Sequence, residues 1–120
     1  MNLWHGRTEG DVLACRGVRV PLPSHLPPRG NWCVGIRPED VELSSRPVDG
    51  GWPARRLVVE PQGSHTLVTV GVGEETARAL AVAAEWPETL WMRWPPDRQH
   101  WFDATTGARI GSRAGFTVGA

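Results

Sequence analysis

The stretch Trp32-Cys33-Val34-Gly35-Ile36-Arg37-Pro38-Glu39-Asp40 decides how the rest of the chain is read. Trp32–Ile36 is a compact apolar run of strand length, with Gly35 near its end. Arg37 precedes a proline and is steered away from the α region, as a helix-capping residue is. Pro38 has a φ suited to a first helical position, and Glu39 and Asp40 then lie at the positive end of the helix dipole. The sequence thus predicts a strand that runs straight into one or two helical turns.

Working outward toward the N-terminus, Leu3–Thr8 reads as a strand ended by the turn-prone Glu9-Gly10-Asp11. Val12–Cys15 and Val18–Leu22 flank Arg16-Gly17, a tight hairpin turn. Pro21, Pro23, Pro27 and Pro28 stop regular structure and make Pro23–Gly30 a loop. Toward the C-terminus, Ser44–Gly51 is a loop and Trp52–Val59 a strand, followed by a turn at Glu60-Pro61-Gln62-Gly63. His65–Val72 alternates, with Leu67 on one face and Val68 and Val70 on the other, while Thr66 and Thr69 suit a strand. Ala77–Ala83 admits two readings: a helix, given Glu74, Glu75 and the alanines, or a strand with Leu80 and Val82 on one face. Periodicity alone does not separate them. Thr89–Trp94 is a strand, Pro95-Pro96-Asp97 opens a single helical turn, and Asp103–Gly107 is a turn after Trp101-Phe102.

Many short strands and at most two brief helices predict an all-β fold, a small closed or partly open barrel. Closure protects strand edges that would otherwise invite aggregation. The domain is expected to span residues 1–110, with the glycine-rich 111–120 a flexible tail.

The 120 residues suit one domain with a real core. Its 13 basic side chains are all arginine, balanced by 13 acidic ones. With no lysine, the chain can build neither a phosphate-cradling P-loop nor a Schiff base. Zero net charge argues against a protein whose main task is to hold a phosphate backbone. Cys15 and Cys33 make no disulfide framework and are expected as reduced, partly buried thiols. No window approaches the ~18 apolar residues of a membrane span, and no signal-peptide pattern opens the chain. A cytoplasmic location is the expectation.

His5, His25, His65 and His100 lie far apart and show no metal-ligand spacing. There is no Gly-x-Ser-x-Gly, and Ser64-His65, if both lay on a strand, would point to opposite faces. Glu74-Glu75 and Glu39-Asp40 read as a solvated turn and a dipole-favoured helix start. No catalytic, cofactor or metal residue is predicted. The seven tryptophans are the strongest compositional signal. They read either as a stacking platform for sugar rings or unpaired bases, or as large core anchors. The neutral charge favours the anchors. Trp91 and Trp94, an odd number apart, face opposite sides of a regular strand, which leaves one for a partner surface.

Three stretches, in order, resemble one family. Val34-Gly35-Ile36-Arg37-Pro38-Glu39-Asp40-Val41 is similar to a Gly-Ile-Arg-Pro-Glu motif in the C-terminal region of ABC importer ATPases. These are the maltose, glycerol-phosphate and related sugar or polyamine types. Val58-Val59-Glu60-Pro61-Gln62-Gly63-Ser64-His65-Thr66 resembles that family's Val-Glu-x-x-Gly-x-Glu-Thr turn. Phe102-Asp103-Ala104-Thr105-Thr106-Gly107 resembles its closing Phe-Asp-x-x-Thr-Gly, and Met1-Asn2-Leu3 its opening. The chain departs from the pattern at Gln62, usually apolar, at His65, usually acidic, and at Trp86-Pro87-Glu88, where Pro-Gly-Asp/Glu is usual.

The resemblance implies a transport-associated OB (TOBE) domain: an OB-like, five-stranded Greek-key barrel with extra strands and one or two short helices. It implies a regulatory, dimer-supporting role without catalytic activity of its own. Arg37, Pro38 and Glu39 would fix the strand-to-helix corner, and Gln62, Gly63 and His65 would meet a partner. The implied partners are an ATPase domain of the same polypeptide, a homodimer mate, a regulatory protein and, indirectly, the importer's membrane subunits. No nucleic acid is among them. ATP and Mg2+ would belong to the ATPase domain, with no cofactor in this chain, and the assembly would sit at the cytoplasmic side of the inner membrane. Two alternatives stay open. One is a free-standing small-solute or oxyanion module of the related molybdate-binding type. The other is a binder of single-stranded nucleic acid or oligosaccharide that uses the tryptophans.

Overall fold

A computed structural model describes residues 1–110; the predicted tail at 111–120 lies outside the described residues. Eleven strands are formed within them. β1 spans Asn2–Glu9, β2 Val12–Cys15, β3 Arg19–Pro21, β4 Asn31–Ile36, β5 Glu42–Ser44 and β6 Trp52–Gln62. β7 spans His65–Val72, β8 Glu75–Ala81, β9 Thr89–Arg93, β10 His100–Asp103 and β11 Arg109–Ile110. Single 3-10 turns stand at Pro38–Asp40 and Pro96–Arg98, after the two proline signals.

Two antiparallel sheets result, in the orders β11-β10-β4-β1-β2-β3 and β5-β9-β6-β7-β8. In the second, β6, β7 and β8 form a meander and β9 returns beside β6, which is the Greek-key order. β8 then curls back toward β5 and the Pro38–Asp40 turn. The predicted all-β, OB-like barrel is what the chain forms.

Alternation dictates what each sheet buries. Trp4, Val34 and Trp101 share one cross-strand row, and all three are buried. Ala77 lies opposite Val70 and Ala79 opposite Val68, small against branched, so β8 can approach β7 tightly in the curved interior. This pairing makes Glu75–Ala81 a strand rather than a helix. Val82, expected to share a face with Leu80, falls past the strand end and is 80% exposed.

Two other expectations are corrected. The turn foreseen at Glu60–Gly63 is shorter and later: β6 continues through Glu60, Pro61 and Gln62, and the turn is Gly63-Ser64. Gln62 and His65 flank this two-residue turn as a hydrogen-bonded pair, so the next pair, Pro61–Thr66, is a non-bonded one. Proline's missing N–H therefore costs no bond to β7. Gly63 has φ +73° and Ser64 no positive φ, which makes a type II′ turn with glycine in its first central position. The second correction is β5, a three-residue strand along β9 where only the approach to a loop was expected.

Asn2 supplies a tie that no periodicity announces. Its carboxamide donates to the Arg78 carbonyl at 2.8 Å and accepts from the Arg78 N–H at 2.8 Å. It thereby acts as a one-residue strand partner on the outer edge of β8. The same amide nitrogen reaches the Ile36 carbonyl at 3.2 Å, so one side chain joins the two sheets.

Candidate functional site

The Arg37-Pro38-Glu39 corner forms as the sequence predicts. Arg37 is extended (φ −72°, ψ 146°), and its carbonyl accepts from the Asp40 N–H at 2.9 Å. Val41 donates to the Pro38 carbonyl at 3.3 Å, and its own side chain is buried beneath the corner. Arg37 and Glu39 face solvent.

Gln62, Gly63 and His65 make the tip of the β6–β7 hairpin, and all three are exposed. Their neighbour Ser64 lies in the turn rather than on the strand, which overturns the expectation that it and His65 point apart. Ser64 Oγ stands 3.0 Å from His65 Nδ1. The pair is solvent-exposed, and among the described residues no carboxylate orients the imidazole through a hydrogen bond, as a working triad would require. The corner and the hairpin tip belong to different elements, and among the described residues no hydrogen bond or ion pair joins them.

Sequence reasoning did not foresee the arginines that gather around His100 of β10. His100 Nδ1 lies 2.7 Å from the Arg109 guanidinium and, as a neutral ring, accepts from it. Burial first, then the charges of Arg109 and Arg37, push the His100 pKa down, with Asp40 pulling weakly the other way. Arg37 thus serves the corner and also reaches β10 electrostatically. Both cysteines are free thiols, as expected. Cys15 is pushed up to about 11 by burial, then by Cys33 and Glu75, and burial raises Cys33 as well. Neither is poised as a thiolate nucleophile at neutral pH.

The tryptophans act mainly as anchors. Trp4, Trp32, Trp94 and Trp101 are buried, while Trp52, Trp86 and Trp91 are half-buried. Trp94 lies 4.6 Å from Trp52 and 6.1 Å from Trp4 between ring centroids. Its indole N–H donates to Gln99 Oε1 at 2.9 Å, which satisfies the one polar atom it buries.

No group of three or more His, Cys, Asp or Glu side chains among the described residues is arranged to hold a metal ion. None of their helices is long and apolar enough to cross a membrane. The molecule is an OB-like Greek-key barrel whose exposed features include a proline-set corner and a glycine-tipped hairpin.

A family model, the TOBE domain, matches residues 34–102. The chain belongs to the TOBE domain family. It is 38% identical to the ABC transporter ATP-binding protein y4oS of Sinorhizobium fredii, over 86% of this chain and 28% of that protein. It is 30% identical to the sn-glycerol-3-phosphate import ATP-binding protein UgpC of Pectobacterium atrosepticum and 32% identical to that of Salmonella typhimurium. Both matches take in 92% of this chain and 33% of the relative. The chain therefore spans about a third of the length of the curated relatives it matches.

Proposed function

We propose that this chain is the regulatory, dimer-supporting and non-catalytic domain of an ATP-binding subunit of an ABC importer for a sugar, glycerol-phosphate or polyamine solute. The observation that carries the reading is a TOBE domain that aligns, over most of this chain, with a part of ATP-binding proteins, two of them named for glycerol-phosphate import. ATP and Mg2+ would be bound by an ATPase domain of the same polypeptide. The assembly would dock through its membrane subunits on the cytoplasmic side of the inner membrane.

The corner at Arg37, Pro38 and Glu39 serves as a rigid strut. The hairpin tip at Gln62, Gly63 and His65 is the contact for the second subunit or a regulatory protein. Its exposure on both strands supports that assignment, because a residue free of packing duties can be spent on a partner. The test compares the ATP-binding subunit carrying this domain with the same subunit carrying Gln62→Ala and His65→Ala. The reading expects a lower dimer fraction in sedimentation, or ATP hydrolysis that no longer responds to the regulator. Unchanged dimerisation and unchanged regulation would remove the hairpin from the account.

A further inference from the structure

A cleft of about 630 Å3 opens where edge strand β3 of one sheet faces β5 and the end of β9 in the other. That volume lies within the roughly 300–1,000 Å3 range of small-molecule sites. One wall is aromatic. Trp52, half-buried, contributes to the lining and rests on Trp94, which the bond to Gln99 locks in place. Around this wall stand Arg19, Arg93, Glu42 and Asp49.

Arg19 is held by Glu9 at 3.4 Å, and Arg93 is held within the lining itself. Arg93 Nε donates to Glu42 Oε1 at 2.9 Å, and its guanidinium reaches the Asp49 carbonyl at 3.4 Å. The arginine fork is thereby held in the lining, with donors and acceptors side by side. A second hollow of about 290 Å3 continues the cleft past Pro21, Pro96 and Gln99 toward His25 and Trp101.

We infer that this cleft binds a small neutral polyhydroxylated ring, a mono- or disaccharide, stacked on Trp52 and hydrogen-bonded to the Arg93, Glu42 and Asp49 side chains. Three features select that class. An aromatic face matches the C–H face of a sugar ring and offers nothing special to an inorganic anion. Both lining arginines already have a carboxylate partner, Arg19 in Glu9 and Arg93 in Glu42, so an oxyanion finds no unpartnered cation there. Interleaved donors and acceptors match a ring of hydroxyls, each of which both gives and takes a hydrogen bond. Because the cleft lies between the two sheets, a bound ring bridges β3 to β5 and β9. Ligand binding then stabilises the fold by mass action. The site stands on these residues alone and holds whether or not the importer reading does.

The test is calorimetric titration of the 120-residue chain with glucose, maltose, trehalose and inositol at millimolar concentration. Sodium molybdate and a short oligothymidine are the contrasting probes. The expected result is saturable heat with at least one sugar, a matching rise in melting temperature, and neither effect with molybdate or oligothymidine. Trp52→Phe, which keeps an aromatic ring against Trp94, and Asp49→Ala, at an exposed loop residue, should each weaken sugar binding about tenfold. Trp91→Phe, on a half-buried tryptophan outside the cleft lining, should leave binding unchanged. No heat from any of the sugars overturns the inference. So does molybdate or oligothymidine binding in preference to sugar, or sugar binding that ignores both cleft variants.

Discussion

The two ends of β6 treat a single strand in opposite ways. At its start, Trp52–Arg55 pairs with β9, Ala54 is buried against Leu90, and Trp52 leans on Trp94. At its end, Glu60–Gln62 pairs only with β7 and every residue is exposed. The change falls at an irregularity between Arg56 and Val58, where the register with β7 slips and the strand re-aims its side chains. Leu57 and Val58 sit there at 48% and 47% exposure. One end is therefore fixed by packing and shapes a cleft, while the other projects and is free to vary. Exposed side chains can change at the hairpin without disturbing the barrel, whereas the tryptophan end can change only at a cost to the fold.

The largest expected effect is at the packed end. Trp94→Ala removes the ring between Trp4 and Trp52 and strands Gln99, which should cost about 3–5 kcal/mol, read as a lower urea midpoint. A cost below about 1 kcal/mol would erase the contrast between the ends. Ala54→Leu adds bulk opposite Leu90 and should cost about 1–3 kcal/mol in the same assay. Gly63→Ala, at the far end, meets a φ of +73° and should lose about 1–2 kcal/mol. Amide hydrogen exchange should place that loss at the hairpin, with protection in β9 and β10 intact. Gln62→Ala and His65→Ala should stay within about 0.5 kcal/mol of the parent, because both side chains are exposed.

His100 is a control that neither end of β6 should move. Its folded pKa lies below the ordinary value, so the folded state prefers the neutral ring. That contribution is fully present above the unfolded pKa and fades as pH falls through it toward the folded value. Arg109→Ala should raise the His100 pKa in an NMR titration and shrink this acid-side loss. An unmoved titration would mean that the 2.7 Å contact carries no electrostatic weight.

Much of the barrel is legible from local chemistry. The strand into Pro38 is readable because a proline fixes its own φ and steers the preceding residue out of the α region, and β2 and β7 match their expected bounds residue for residue. What local chemistry misreads is pairing. Pro61 reads as a breaker, yet a non-bonded position beside β7 accommodates it, and Glu42–Ser44 becomes a strand only because β9 lies alongside. Ala77–Ala83 is ambiguous until Val68 and Val70 supply the facing surface. Arg37, Pro38 and Glu39 are visible as a corner from sequence, but the influence of Arg37 on His100 is not, since β10 arrives more than sixty positions later. The cleft is invisible for the same reason: Arg19, Glu42, Trp52 and Arg93 come from four separate strands.

The central proposal is that this TOBE domain serves an ATP-hydrolysing importer subunit without touching ATP. Sequencing the reading frame upstream of Met1 tests it most directly. The account predicts an in-frame ATPase domain carrying the P-loop lysine that these 120 residues lack. A gene that begins at Met1, with no ATPase sequence ahead of it, would contradict it.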